Sequence, residues 1–277
     1  MSTRTIVVTV PTDLAEIVTD RMWQWGVHAV SESDTAEGTV EVATSVGNDE
    51  HSIERALSTL DATWVVDVRD VDDEIAQVAP AYLSPTWYAD DMVSVPASLT
   101  PFHIDDPTVT VTVIDPGSAF GLGDHPTTRT SMTLLAELLR DESDDCQRLL
   151  DVGCGTGALA VLAAQLGVPE IRAIDIAAAA VESTRHNMVL NRVEGSIEVD
   201  TTPLDQITDT FDIVMANILA PVLMSMADDL RRVLRAGGSL VISGILADRH
   251  DHVLEALRPL APVRSLRHHG WISIVLR

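Results

Sequence analysis

The sequence predicts an α/β fold: a largely parallel sheet with helices on both faces and a terminal antiparallel hairpin, preceded by a small α+β domain. Three observations predict it. From residue 148 onward, short β-rich apolar runs alternate with helical ones, the order that builds a parallel sheet buried on both sides. The last sixteen residues divide into two strand-like runs around Gly270. The first seventy or so residues give the order βαββαβ, a ferredoxin-like split arrangement.

In the N-terminal part, RTIVVTV (4–10) is β-branched and stops at Pro11, which reads as a strand. Leu14, Ile17, Val18, Met22 and Trp25 recur at helical spacing over 12–25, with Gly26 as the stop. A strand pair is expected at 27–32 and 38–44, a helix at 49–60 and a strand at 62–70. Residues 73–107 are proline-rich and aperiodic, so they read as a linker between a domain at 1–72 and one at 108–277.

The second domain opens with the alternating strand TVTVTVI (108–114), the stretch DPGSAFGLGDHPTT (115–128) and a helix over 127–140. Strands are then expected at RLLDVG, EIRAID, IEVD, FDIVMAN and SLVISGI. Helices are expected at ALAVLAAQLG, AAAAVESTRHNMVLN, PVLMSMADDLRRVLR (ended by Gly237 and Gly238) and RHDHVLEALRPL.

Bulk properties narrow the function. The chain has 277 residues, 46% hydrophobic, 22% charged, with a net charge of −24 and no lysine. Residues 1–100 carry 18 Asp and Glu against 4 Arg, so the acidity concentrates in the first third. That suits a basic partner or simple solubility, and it argues against direct binding to bare nucleic acid. No apolar run reaches the roughly 20 residues of a membrane span, and no leader is recognisable at the start. Two cysteines make no disulfide framework, and a cytoplasmic setting is expected. No metal site is expected.

The chemistry centres on LLDVGCGTGALA (149–160). Gly153, Gly155 and Gly157 lie between a strand and a helix, where glycine permits a tight turn and close approach of a ligand. Asp175 ends the next strand, where a carboxylate can accept both ribose hydroxyls of an adenosine cofactor; its plainer reading is a helix cap. The spacing also fits G-x-G-x-x-A, which leaves a nicotinamide dinucleotide open. The form led by Asp151, with the terminal hairpin, favours S-adenosylmethionine and a Rossmann-like methyltransferase sheet. Cys154 reads as packing rather than as a nucleophile.

Asn217, in MANILAPVL (215–223), ends a strand and resembles the Asn/Asp-Pro-Pro-Tyr/Phe site of amino-group methyltransferases. Its side-chain carbonyl, with a backbone carbonyl following, can accept the hydrogens of an amine and aim its lone pair. Ile218 and Leu219 then form the apolar wall beside it. In 115–128, Pro126 suits a first helical turn whose free N–H groups at Thr127 and Thr128 can hold the cofactor's carboxylate. Phe120 would be an apolar wall, and His125 a loop-ordering residue.

These stretches (DPGSAFGLGDHPTT, LLDVGCGTGALA, AIDI, ANILA and VISGIL) stand in the order and spacing of the PrmA family, which the chain resembles over roughly 108–260. The resemblance implies a ferredoxin-like domain that grips the substrate protein, a linker and an S-adenosylmethionine domain. It implies methylation of the large-subunit ribosomal protein numbered eleven, on lysine or N-terminal amines; a monomer is expected. Cofactor contacts carried over by motif position are Thr128, Gly153, Asp175 and Asn217. The competing readings are a methyltransferase of another protein or a small amine, a nicotinamide oxidoreductase, and a non-catalytic protein that docks basic partners.

Overall fold

The computed structural model describes residues 2–23, 25, 27, 30–35, 38–72, 84–115, 125–141 and 146–277. Gly26, the expected stop of the first helix, lies outside them. The chain forms two compact units, Met1–Leu83 and Ser84–Arg277.

The first unit runs β1 (Ser2–Pro11), α1 (Ala15–Trp23), β2 (Val30–Asp34), β3 (Thr39–Thr44), α2 (Glu50–Leu57) and β4 (Val65–Asp72). The sheet order is β2-β3-β1-β4 with every pair antiparallel, the ferredoxin-like arrangement. The first helix is shorter than its apolar spacing predicts, because Thr12–Leu14 wind as a 3₁₀ turn behind Pro11. Asp49 caps α2 by accepting from the Ser52 N–H at 2.9 Å. Ile6, Val8 and Val10 of β1 alternate inward and meet Val18 and Met22 of α1 and Ile53 of α2.

The second unit begins inside the stretch read as a linker. Residues 84–107 hold β5 (Thr86–Ala89) and β6 (Met92–Pro96), an antiparallel pair whose second strand runs parallel to β7 (Thr110–Ile114). The strands are short and bounded by Pro85 and Pro96, so the prolines mask the pattern. Residues 73–83 lie outside the described residues. The strand expected at 108–114 is β7, and it completes this three-stranded sheet, separate from the main one.

The main sheet has seven strands in the order β10-β9-β8-β11-β12-β14-β13. Its members are β8 (Arg148–Val152), β9 (Glu170–Ile174), β10 (Ile197–Asp200), β11 (Phe211–Asn217), β12 (Leu234–Leu246), β13 (Pro262–His268) and β14 (Trp271–Leu276). The first five are mutually parallel, and β14 and β13 add the antiparallel hairpin. Between and before them lie α3 (Pro126–Asp141), α4 (Ala158–Gln165), α5 (Ala178–Asn191), α6 (Ala220–Ser225), α7 (Ala227–Val233) and α8 (Asp251–Ala256). The run read as one helix ended by the glycine pair is two short helices that break at Met226; Gly237 and Gly238 already belong to β12.

Strand alternation divides the core. Leu149, Ile213, Met215 and Val241 face Met132, Leu135 and Leu162 on one side of the sheet. Leu150, Val214, Ala216 and Ile242 face Leu223, Leu230 and Val253 on the other. No helix of the described residues is long and apolar enough to cross a membrane. Leu162 is fully buried in the first cluster. Leu162→Ala is expected to destabilise this unit by about 2–5 kcal/mol, read as a lower urea midpoint at unchanged slope.

Candidate functional site

Parallel strands bring the C-terminal ends of β9, β8 and β11 side by side, and the candidate residues sit there. Val152 is level with Ile174 and with Ala216, so the chain leaves the sheet at Gly153, Asp175 and Asn217 in adjacent positions.

After β8 the backbone needs left-handed conformations: φ is 73° at Gly153, 55° at Gly155 and 77° at Gly157. The turn is anchored to β9 by the N–H groups of Gly153 and Cys154, both donating to the Ile174 carbonyl at 2.8 and 3.1 Å. A Cβ at Gly153 would lie 2.4 Å from Ile218 Cγ2. The glycine therefore lets the residue after Asn217 pack directly on the turn. Cys154 is buried, and its thiol lies 3.3 Å from Thr184 Oγ1. Burial pushes that thiol well above its ordinary range, which fits a packing role.

Asp175 uses one oxygen to accept from the Gly155 N–H at 3.1 Å and the other to accept from the Ala177 N–H at 2.9 Å. It braces the turn and the entry to α5, and its carboxylate retains further acceptor capacity. It is not the cap residue of α5; that position is Ala177. Beside it Ile176 is 86% exposed. Sequence reasoning missed this apolar surface, although its position directly after Asp175 was the available signal.

Asp151 is the next-to-last residue of β8 and is 1% exposed. Neither of its oxygens has a hydrogen-bond partner among the described residues. Burial first, and the charge of Asp175 in addition, push its carboxyl up to about 7; the Ala160 amide pulls the other way without reaching hydrogen-bond geometry.

Helix α3 begins at Pro126, as its sequence predicts. Thr127 and Thr128 are buried, and the Thr128 hydroxyl has no partner among the described residues. His125 orders this corner: Nδ1 lies 2.8 Å from Thr127 Oγ1, and the ring packs edge-on against Trp271 at 5.2 Å. Ser243 donates to the Thr127 carbonyl at 3.3 Å and is the β12 partner of Asn217, which ties the start of α3 to the tip of β11. The Asn217 side chain makes no hydrogen bond among the described residues. Leu219 precedes α6 in extended conformation, with Pro221 in the first helical turn. Phe120 lies outside the described residues.

The site thus gathers Asp151, the glycine turn, Asp175, Asn217 and Ile218, with Thr127 and Thr128 joined to it through Ser243. The donor set fits S-adenosylmethionine: carboxylates for a cationic amino group and a ribose diol, a free hydroxyl and helix-start amides for a carboxylate, and exposed Ile176 for an aromatic face. The Asp151 carboxyl sets a pH dependence. It binds a proton in the folded state up to about pH 7, while unfolded aspartate loses its proton near about 4. Between those values the folded state holds the extra proton, so stability falls as pH rises and stays reduced above about 7. The unfolding midpoint of the ligand-free protein is expected to drop from about pH 5 to about pH 8, and Asp151→Asn to flatten that slope; thermal scans across that range are the check.

Comparison with known proteins agrees with this geometry. Residues 36–277 match the family described as Ribosomal protein L11 methyltransferase (PrmA). A ribosomal protein L11 methyltransferase of Ralstonia nicotianae is 33% identical over 299 residues, covering 99% of this chain and 98% of that protein. Another, from Pelobacter propionicus, is 42% identical over 171 residues, 59% of this chain and 54% of that protein. The chain spans only 54–66% of the length of several such relatives. The crystal structure of a ribosomal protein L11 methylase from Lactobacillus delbrueckii subsp. bulgaricus superposes with a TM-score of 0.64 at 26% identity, over 70% of this chain and 97% of that one. A nicotinamide oxidoreductase is thereby set aside, and the chain belongs to the ribosomal protein L11 methyltransferase (PrmA) family.

Proposed function

We propose that this protein is a cytoplasmic, monomeric S-adenosylmethionine-dependent methyltransferase that modifies amine nitrogens of ribosomal protein L11, lysine side chains or the N-terminus. One observation carries the reading. The buried Asp151 carboxyl near the end of β8 and the buried Thr128 hydroxyl in the first turn of α3 are left unbonded by the described residues, as is the half-buried Asn217 amide at the tip of β11. Buried polar groups without partners are costly, and a bound zwitterion would satisfy two of the three.

When bound, S-adenosylmethionine supplies an electrophilic methyl group on a sulfonium. Thr127, Thr128, Asp151, Gly153, Gly155, Gly157 and Asp175 would hold it. Asn217 orients the incoming amine through its side-chain carbonyl, and Ile218 and Leu219 exclude water beside it. The amine must arrive neutral. At a pKa near 10.4, about one lysine in a thousand is neutral near pH 7.4, a cost of about 4 kcal/mol; an α-amine near about 8 costs well under 1. Asn217 cannot accept a proton, so the proton leaves to solvent, and the apolar wall disfavours the ammonium form. Positioning, rather than acid–base chemistry, is therefore what the chain contributes. The first unit, a separate ferredoxin-like body with the chain's densest acidity, would grip the basic substrate.

The test is incubation with purified L11 and radiolabelled S-adenosylmethionine, followed by intact-mass analysis. Methyl increments on L11 are expected; a protein that binds the cofactor yet labels neither L11 nor any other ribosomal protein would refute the assignment. Asp175→Ala is expected to weaken cofactor binding by about 1–3 kcal/mol in calorimetry. Asn217→Ala is expected to leave that affinity within about threefold while lowering turnover at least about tenfold; full turnover would mean that another group aims the amine.

A further inference from the structure

Helix α5 turns Thr184, Asn187 and Asn191 along one face, three and four residues apart. The first two hold the glycine turn from behind. Thr184 donates its hydroxyl to the Gly155 carbonyl at 3.0 Å. Asn187 is fully buried and donates through Nδ2 to the Thr156 carbonyl at 2.9 Å. The same Nδ2 donates to the Asp115 carbonyl at 2.9 Å, while Oδ1 accepts the Asp115 N–H at 2.8 Å. A single side-chain amide thus pairs with Asp115 as a neighbouring strand would, and with its other hydrogen holds the turn. The same edge of β7 is met by Asn191 at Val113 and by Gln165 at Val111, each pairing two residues further along, the period of a strand.

Two successive carbonyls of the turn, Gly155 and Thr156, therefore face α5. Because a trans peptide is planar with its C=O and N–H opposed, the N–H of Thr156 is directed away from α5. These two donors fix the orientation of both carbonyls.

Building on the cofactor reading above, we propose that Asn187 is a positioning residue for cofactor binding: it locks the glycine turn to Asp115, at the head of the 115–128 stretch, so that the turn's peptides are oriented before the ligand arrives. No other side-chain type replaces it in place. Aspartate keeps the shape but presents oxygens to two carbonyls, and leucine offers no hydrogen bond to Asp115 or Thr156. Fixing peptide orientation beforehand removes an ordering cost from binding.

Asn191 is the internal control. It carries the same amide on the same helix face and bonds Val113 on both sides, at 2.8 and 2.6 Å, but it bonds no residue of the glycine turn. The experiment compares full-length wild type, Asn187→Ala and Asn191→Ala by calorimetric titration with S-adenosylmethionine and S-adenosylhomocysteine, alongside thermal unfolding without ligand. Asn187→Ala is expected to weaken both ligands at least about tenfold, and Asn191→Ala to leave both within about twofold whatever it costs in melting temperature. At saturating cofactor, turnover of Asn187→Ala should approach that of wild type, which separates loss of binding from loss of chemistry. Should Asn187→Ala not fold, Asn187→Ser, which keeps a hydroxyl and admits water, is read by the same criteria. Unchanged affinity in the Asn187 variant, or an equal loss in both variants, overturns the proposal. A wild-type protein that binds neither ligand overturns the cofactor reading itself, and the positioning role with it.

Discussion

The second unit is organised by a lack of space around one turn. Between β8 and α4 the chain passes so close to its neighbours that Cβ atoms do not fit: one at Gly153 would meet Ile218 and one at Gly157 would lie 2.6 Å from Thr184. Both positions also have positive φ, so a side chain there would be strained twice over. The same closeness brings the tip of β11 and the face of α5 against the turn. It also requires Gly244 on β12, whose Cβ would lie 2.5 Å from the Ile218 carbonyl oxygen. Ile218 is thus wedged between two glycines, and the position of Asn217 follows from theirs.

Charge is arranged around this packing. Asp151 and Asp175 lie at the ends of adjacent strands, and the buried one is forced upward in pKa by burial first and by its neighbour second. In a chain of net charge −24, such a pair favours a cationic ligand and disfavours an anionic one. Both the sulfonium and the amino group of the proposed cofactor meet that preference. For a lysine acceptor, as proposed above, the same acidity would be a cost, since it stabilises the protonated amine.

Much of this was legible in the residues. Strand–helix alternation after residue 148 identified the sheet because parallel strands are apolar throughout and carry a strong local signal. The glycine turn, Asp175 and Asn217 were readable because each ends a strand, and strand ends converge in this topology. What was hidden depends on contact between distant segments. Strands β5 and β6 hid among prolines, and the break at Met226 lay inside a continuous helical pattern. The orphaned state of Asp151 and the exposure of Ile176 depend on neighbours brought in by folding. Asn187 reads in sequence as one polar residue on a helix; only the fold places it against Asp115, 72 residues away, and Thr156, 31 away.

The two asparagines show how accounting for polar groups separates support from chemistry. Asn187 and Asn217 have the same amide, with two donors and an acceptor of two lone pairs. Asn187 is sealed in the interior, and its three hydrogen bonds go to backbone groups of Asp115 and Thr156. It has nothing to offer a ligand, so any effect it has on binding passes through the backbone it holds. Asn217 is half-buried at a strand tip and makes no such bond among the described residues. Its register partner on β12, Ser243, is committed to the Thr127 carbonyl. The two unbonded acidic oxygens of Asp151 and the free hydroxyl of Thr128, both buried, cost the folded chain stability. A guest carrying complementary charge and hydrogens would offset that cost, and Asn217, open at its strand tip, is left able to bond such a guest.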